Sequence, residues 1–520
     1  MLLPSLSILS FFVLLLPRPT TSSVAYCNNE DYASGDLGAA PYQTYNAAPY
    51  HPVQINYALP PAFVRPITTY PGSDAEMQVG GYIMNPNGTM VYSTEDFGLN
   101  LARGVFTYQG QDVLGIWIGD GVIEPAGYAS GINVLLNSAY DVVATINASN
   151  LGVGADIHEL QITSNDTAII AAYPTTQTDL IAYGGSETGY VANPVVQEID
   201  ISTGEAIFTW YALDHVDLSD SYAPFGTTET GEGTIDAPWD YFHLNSIQKN
   251  DDGTYLISSR HCQTLYLVDS TGDIIWRMGG KNSNFTFGKG ANFAWQHHAR
   301  LRESGQLSVF DDSGTQWEQE ASYSRGLLLN YDDLAMTVSL ASARTPFNRS
   351  VTVSQGSVEL LSNGNSIVGW GAMPYYSKHD SNGAIIWSAQ FAAAGSGVGA
   401  YRVFLNDWTG RPSAPPSMNI SASSVPGNVT VYAWWNGATE VTSWQLFGST
   451  LLSPLQATSL DNVSKTDFET TLTYSGSEYA FFQVGAMNGN EEMLGFSNFT
   501  GLDGTTCSKA DNQTVTAPSL

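Results

Sequence analysis

Several things are scarce in this sequence, and each scarcity narrows what the chain can be. Charged residues make up only 13% of its 520 positions, about half the share of roughly 25% usual in globular domains. Basic residues are scarcer still: 18 Lys and Arg stand against 49 Asp and Glu, a net charge of −31. A surface of that sign repels nucleic acid and anionic membranes. It can still take a small anion, but only in a locally cationic pocket, so any cluster of Arg and His is informative. Cysteine occurs three times, which excludes a disulfide-dense scaffold. Long apolar runs are absent after the N-terminus, so no later segment is long enough to span a bilayer, which needs about 20 residues. Helix periodicity is almost missing too.

The one apolar run, Leu6 to Leu16, is followed by small residues at Thr20 to Ser23. Residues 1–23 therefore read as a secretory signal peptide, although no Lys or Arg precedes the run. The polar C-terminus argues against a lipid-anchor signal. Secretion predicts N-glycosylation at the sequons of Asn87, Asn147, Asn165, Asn284, Asn348, Asn419, Asn428, Asn462, Asn498 and Asn512. Chain termini often lie close together, so a Cys27–Cys507 bridge is expected. Cys262 is then the odd cysteine, read as a buried structural thiol, with a catalytic thiol as the alternative.

What the sequence has in abundance is short alternating strands broken by Gly, Asn and Asp, such as Thr254 to Ser258 and Thr264 to Val268. A degenerate repeat runs through them. A turn glycine is followed four residues later by an aromatic at Gly88…Tyr92, Gly204…Phe208, Gly272…Trp276 and Gly383…Trp387. A second turn unit recurs at Gly253, Gly305 and Gly364, spaced 52 and 59 residues apart. Nineteen residues separate the two units in both Gly253 to Gly272 and Gly364 to Gly383. One four-stranded sheet per period is the rhythm of propeller blades. The fold class expected is all-β: a β-propeller of about six blades over residues 24–410, with a β-sandwich as the alternative architecture. Each repeat aromatic would pack between neighbouring blades. The Arg411 to Pro416 segment reads as a linker to a separate immunoglobulin- or fibronectin-like sandwich over residues 411–505. Residues 506–520 form a tail.

Five of the eight histidines fall in three polar clusters. The first is Asp156-Ile-His158-Glu159. The second is Trp239-Asp240-Tyr241-Phe242-His243-Leu244-Asn245 with Ser259-Arg260-His261. The third is Gln296-His297-His298-Ala299-Arg300 with Asp311-Asp312. His243 and His297 are 54 residues apart, one repeat period. His158 and His243 are 85 apart, which requires an insertion, and the stretch from Asp217 to Asp236 can supply it. Strand alternation would put His243 and Asn245 on one side. The expected result is a cationic pocket of His158, His243, Asn245, Arg260 and His297 that suits a small anion. Three convergent histidines could also ligate a metal, although the adjacent Arg260 argues against a cation. His51, His215 and His379 read as structural or surface residues.

These motifs resemble the arylsulfotransferase family, in particular its fungal-type secreted branch, from about Tyr42 to Leu502. The most specific stretches are His158 to Thr163, Trp239 to His261, Asp269 to Gly280, Gln296-His297 and Ser308 to Asp312, with Trp434 to Glu440 matching the C-terminal module. The resemblance implies a six-bladed propeller. It also implies sulfuryl transfer between phenols without a nucleotide sulfate donor, through a transiently sulfated histidine. It assigns that nucleophile to His297, with His298 as the alternative register, and the supporting roles to His243, Asn245, Arg260 and His158. On this reading no cofactor or metal is required, and the partners are a small aryl sulfate and a phenol, not nucleic acid or a membrane. Trp239, Tyr241 and Phe242 could stack on the aryl ring or serve as blade packing. A non-catalytic propeller that binds phenolics or glycans, and a metal-dependent hydrolase or lyase, are the rival functions.

Overall fold

A computed structural model describes residues 38–57, 67–68, 80–85, 87–123, 127–422, 427–452 and 457–507. The chain is all-β, with one four-residue α-helix (Ala212–His215) and a few 3-10 turns among the described residues. Among the described residues no helix is long and apolar enough to cross a membrane. The signal-peptide segment, Cys27 and Asn512 lie outside the described residues, as does the Cys507 side chain, and with it the expected bridge.

Six sheets built of antiparallel strands follow one another along the chain; Thr286–Phe287 adds a parallel edge strand to the fifth, Asn56–Tyr57 an edge strand to the sixth, and a two-stranded hairpin, Thr175–Thr178 with Gly189–Ala192, stands beside them. The first holds Ile67–Thr68, Gly81–Met84 and Met90–Ser93. The second begins with Asn100–Tyr108, the third with Leu160–Ile162 and the fourth with Leu244–Lys249. The fifth begins with His297–Arg302 and the sixth with Ser357–Leu360. The fourth sheet shows the logic. Its strands Leu244–Lys249, Tyr255–Ser259, Thr264–Val268 and Ile274–Gly279 pair in chain order. Gly253 and Gly272 turn its hairpins at φ 86° and 100°, values at which a Cβ is strained. The expected 19-residue spacing is thus the distance between two hairpins of one sheet.

Apolar side chains join each sheet to the next. Ile83 and Tyr92 pack with Leu114 and Val134; Val113 and Leu135 with Leu160 and Ile170. Val196 and Trp210 pack with Ile247 and Ile257, Leu265 and Trp276 with Leu307 and Leu327, and Phe310 with Val358 and Val368. The series returns to its start, because Tyr376 and Trp387 of the sixth sheet share a cluster with Tyr82 and Met84 of the first. All four repeat aromatics lie at such junctions, as their spacing predicted; Phe208, for example, stacks on Tyr255 at 4.2 Å.

The first strands of the second to sixth sheets touch in succession. The segment Tyr401 to Asn406 fills the remaining place. Val403 N–H donates to Ser357 Oγ at 3.0 Å and Leu405 N–H to Glu359 at 2.7 Å, while Phe404 and Asn406 lie beside Gly104. The predicted histidines stand at or just before three of these first strands. The expected insertion is present between Tyr211 and Leu244.

Beyond residue 411 two further sheets enclose their own core. Val429, Val431 and Leu472 of one face Trp444, Phe482 and Val484 of the other. They dock on the first part of the chain: Glu469 accepts the backbone N–H groups of Asn46, Ala47 and Ala48. Eight of the nine described sequon asparagines are exposed; Asn428 is half-buried.

Candidate active site

Three histidines stand at or just before the first strands of three successive sheets, and each is paired with its own aspartate. His158 Nδ1 lies 2.6 Å from Asp156 Oδ1, His243 Nδ1 2.5 Å from Asp240 Oδ2, and His297 Nδ1 2.5 Å from Asp312 Oδ2. The local sequence sets the first two pairs, at spacings of two and three residues; the third joins neighbouring strands. A carboxylate at Nδ1 makes that nitrogen the donor, so the neutral ring leaves its lone pair on Nε2. The three histidines are 3%, 5% and 3% exposed. His158 and His243 meet edge to face at 4.9 Å.

Burial pushes His297 and His243 well below 6.5. For His297 the next causes are the charges of Arg260, His243, His158 and Arg402, which places these groups around it. The nucleophile expected from the sequence is therefore neutral at physiological pH. Its Nε2 accepts only a long bond from the Gln355 backbone N–H, at 3.3 Å. His298 differs. Its Nδ1 accepts from the Val358 N–H at 3.2 Å, and its ring lies against Phe404. His298 Nδ1 thus faces a backbone N–H where His297 Nδ1 faces a carboxylate, so nothing at that nitrogen would offset the positive charge its ring takes on as a nucleophile.

Arg260 is held in the same cluster. Its Nη1 donates to His261 Nε2 at 3.0 Å and its Nη2 to the Val353 carbonyl at 2.7 Å, and its Nε has no partner among the described residues. Its guanidinium lies 5.8 Å from the rings of both Trp295 and Trp317. Asn245 donates to the Gln296 carbonyl at 2.6 Å and leaves its Oδ1 unpartnered. The structure thus gathers His158, His243, Arg260 and His297, with Asn245 alongside.

One expectation needs correction. The pocket is not simply cationic, because His158, His243 and His297 each have an aspartate and the charge available to an anion comes from arginine. Trp239, Tyr241 and Phe242, read as stacking on an aryl ring or as packing, take the packing role. They are at most 2% exposed and belong to the core between the third and fourth sheets, where Trp239 packs on Tyr183 and Phe225.

Asp240, His243 and His261 are spaced as metal ligands could be. Two of the three are already engaged: Asp240 Oδ2 takes His243 Nδ1, while His261 Nδ1 donates to the Asp240 carbonyl at 2.5 Å and its Nε2 accepts from Arg260. A guanidinium at that nitrogen opposes a cation there. Cys262 is buried, and burial pushes its thiol up to about 12, which makes it a structural thiol and not a nucleophile.

Below the histidines lies an ion network that sequence reasoning missed. Glu159 accepts from Arg300 at 2.8 Å, Arg402 at 3.1 Å and the Ile247 N–H at 3.1 Å. Arg402 also donates to the Asn245 carbonyl at 2.8 Å, and Tyr401 Oη to the His158 carbonyl at 3.0 Å. Glu159 and Arg402 are 243 residues apart, so no local pattern reveals the pair.

A family profile described as Arylsulfotransferase (ASST) matches residues 104–392. No curated protein matches the chain. Among solved structures, a protein of unknown function from Bacteroides caccae is 12% identical, covers 65% of this chain and 98% of its own, and gives a TM-score of 0.37. Sqt1 from Saccharomyces cerevisiae is 9% identical, with 71% and 96% covered and a TM-score of 0.31.

Proposed function

The chain belongs to the arylsulfotransferase family, and from that premise we propose that it is a secreted enzyme moving a sulfuryl group from an aryl sulfate to a phenol through a sulfated His297. The observation that carries this reading is the buried His297–Asp312 pair: with Asp312 ionised beside Arg260, Nδ1 holds the proton and Nε2 is left as an unprotonated nucleophile among other polar groups. The six sheets, joined in series and back to the first, support a six-bladed propeller, and the two C-terminal sheets with their shared core support an accessory sandwich. The N-terminal apolar run and the exposed sequons support secretion, and the Trp434 to Glu440 stretch supports the fungal-type branch.

In the first half-reaction the Nε2 lone pair of His297 attacks sulfur. An N–S bond forms, the S–O bond to the aryl group breaks, and its electron pair leaves on the phenolate oxygen. The ring becomes positive, and the Asp312 carboxylate offsets that charge. Arg260, through its free Nε–H, and Asn245, through the second N–H of its amide, would hold the non-bridging oxygens and the leaving phenolate, where transition-state charge collects. In the second half-reaction a phenol gives its proton to Nε2 of His243, which is neutral and therefore a base. The phenol oxygen attacks sulfur, and the N–S electron pair returns to His297.

The test is release of nitrophenol from p-nitrophenyl sulfate with excess phenol and chelator. The expected result is release that requires the phenol and disappears in His297→Ala. Binding of phenols without turnover, or turnover unchanged in the variant, would overturn the assignment.

A further inference from the structure

Arg103 is a buried cation with no carboxylate in hydrogen-bond contact among the described residues; Glu159 and Asp156 act on its charge only from a distance. It is 7% exposed, on the first strand of the second sheet. Its Nε and Nη1 have no hydrogen-bond partner among the described residues, and its Nη2 reaches only the Asp156 carbonyl at 3.4 Å. The two nearest carboxylates are committed elsewhere. Asp156 accepts from the Ala129 N–H, the His158 N–H and His158 Nδ1. Glu159 is occupied by Arg300, Arg402 and Ile247. Burial lowers Arg103 to about 10, so it stays charged at neutral pH. An unpaired buried charge is expensive to keep, and a bound anion would relieve that cost.

Its placement is as specific as its chemistry. The register of the first strand shifts between Ala102 and Gly104, so Arg103 is the extra residue of a β-bulge. The fourth sheet has the same device: Leu244 and Ser246 pair with successive residues, and Asn245 is extra. Bulges re-aim a side chain and recur beside active sites. Arg103 is therefore the counterpart in the second sheet of the asparagine placed beside His297. Its guanidinium lies 5.9 Å from the Tyr401 ring, which is itself 6.0 Å from the His158 ring.

We propose that Arg103 is a second anion-binding group of this site, and that the preferred phenol or aryl sulfate carries a further negative group, a carboxylate or second sulfate ester, which Arg103 receives. The substrate class rests on the sulfuryl-transfer reading; the binding site does not. The probes are 4-hydroxybenzoate, phenol and inorganic sulfate, titrated by calorimetry into the wild-type chain, Arg103→Gln and Arg103→Lys. Hydrogen bonds to a buried charge predict that the wild type binds 4-hydroxybenzoate about 10- to 100-fold more tightly than phenol. That ratio collapses toward one in R103Q and falls severalfold in R103K, which keeps the charge but loses the fork. If R103Q does not fold by near-ultraviolet circular dichroism, R103K alone decides. A ratio unchanged by substitution, no preference in the wild type, or inorganic sulfate as the only anion that needs Arg103 would each overturn the proposal. An Arg103-dependent preference in a chain that never releases nitrophenol keeps the subsite and removes the transfer reading. Turnover of p-nitrophenyl sulfate without the preference does the reverse.

Discussion

Replacing Asp312 by Asn isolates the charge that His297 acquires when it attacks sulfur. Asp312 is fully buried, with Oδ2 on His297 Nδ1 and Oδ1 unpartnered. Because Oδ1 serves no other donor, an asparagine can turn its carbonyl toward the imidazole N–H and park its amide nitrogen in the vacant direction. The tautomer then survives and only the negative charge is lost. With about 4 Å between the centres of ring charge and carboxylate, and an effective dielectric of about 20, that charge is worth about 4 kcal/mol to an imidazolium-like transition state. A loss of about a thousandfold in kcat follows. The assay is the pre-steady-state burst of nitrophenol, which reads sulfation of the enzyme apart from the second half-reaction. A burst rate in D312N within tenfold of wild type would refute the reasoning, because His297 would then carry no positive charge in the step that releases the phenol.

Burial and neighbouring cations hold His297 well below 6.5, so its neutral form persists as pH falls. The expected kcat/KM for p-nitrophenyl sulfate is level from pH 7 down through pH 6, and an inflection near 6.5 in that profile would contradict a buried neutral nucleophile. Glu159→Gln leaves Arg300 and Arg402 short of their shared carboxylate, so urea unfolding should report a destabilisation of about 3–5 kcal/mol; a loss under 1 kcal/mol would show that the two arginines find other partners.

The repeat was legible because four of the six sheets spend the same residues on the same tasks: a glycine at a positive-φ turn and an aromatic four residues on, at the junction with the next sheet. Trp276, for example, packs against Phe285 and Tyr331. The histidine cluster was legible because repeat period and strand starts coincide, so residues one period apart meet where the first strands meet. The aromatic run of Trp239, Tyr241 and Phe242 left stacking and packing open in the sequence for a local reason. The chain turns inward there, and Asp240 with His243 are its polar members that face the cluster.

What stayed hidden depends on departures from regular strand. The alternation argument for His243 and Asn245 assumes an unbroken strand, yet His243 sits at φ 49° and Asn245 is the extra residue of a bulge. Arg103 is extra in the same sense, and the register also shifts between His297 and Arg300. Three first strands thus break regular pairing beside the cluster. A bulge releases one side chain from the two-sided choice of a strand, core or solvent, and lets it point along the line where the sheets meet. Sequence period locates the sheets that form such a line, but the bulges select which polar residues reach it, and pairwise strand register is invisible to composition and spacing. For that reason Arg103, one residue outside the family match, belongs with the motif histidines by geometry although nothing near it in the sequence marks it.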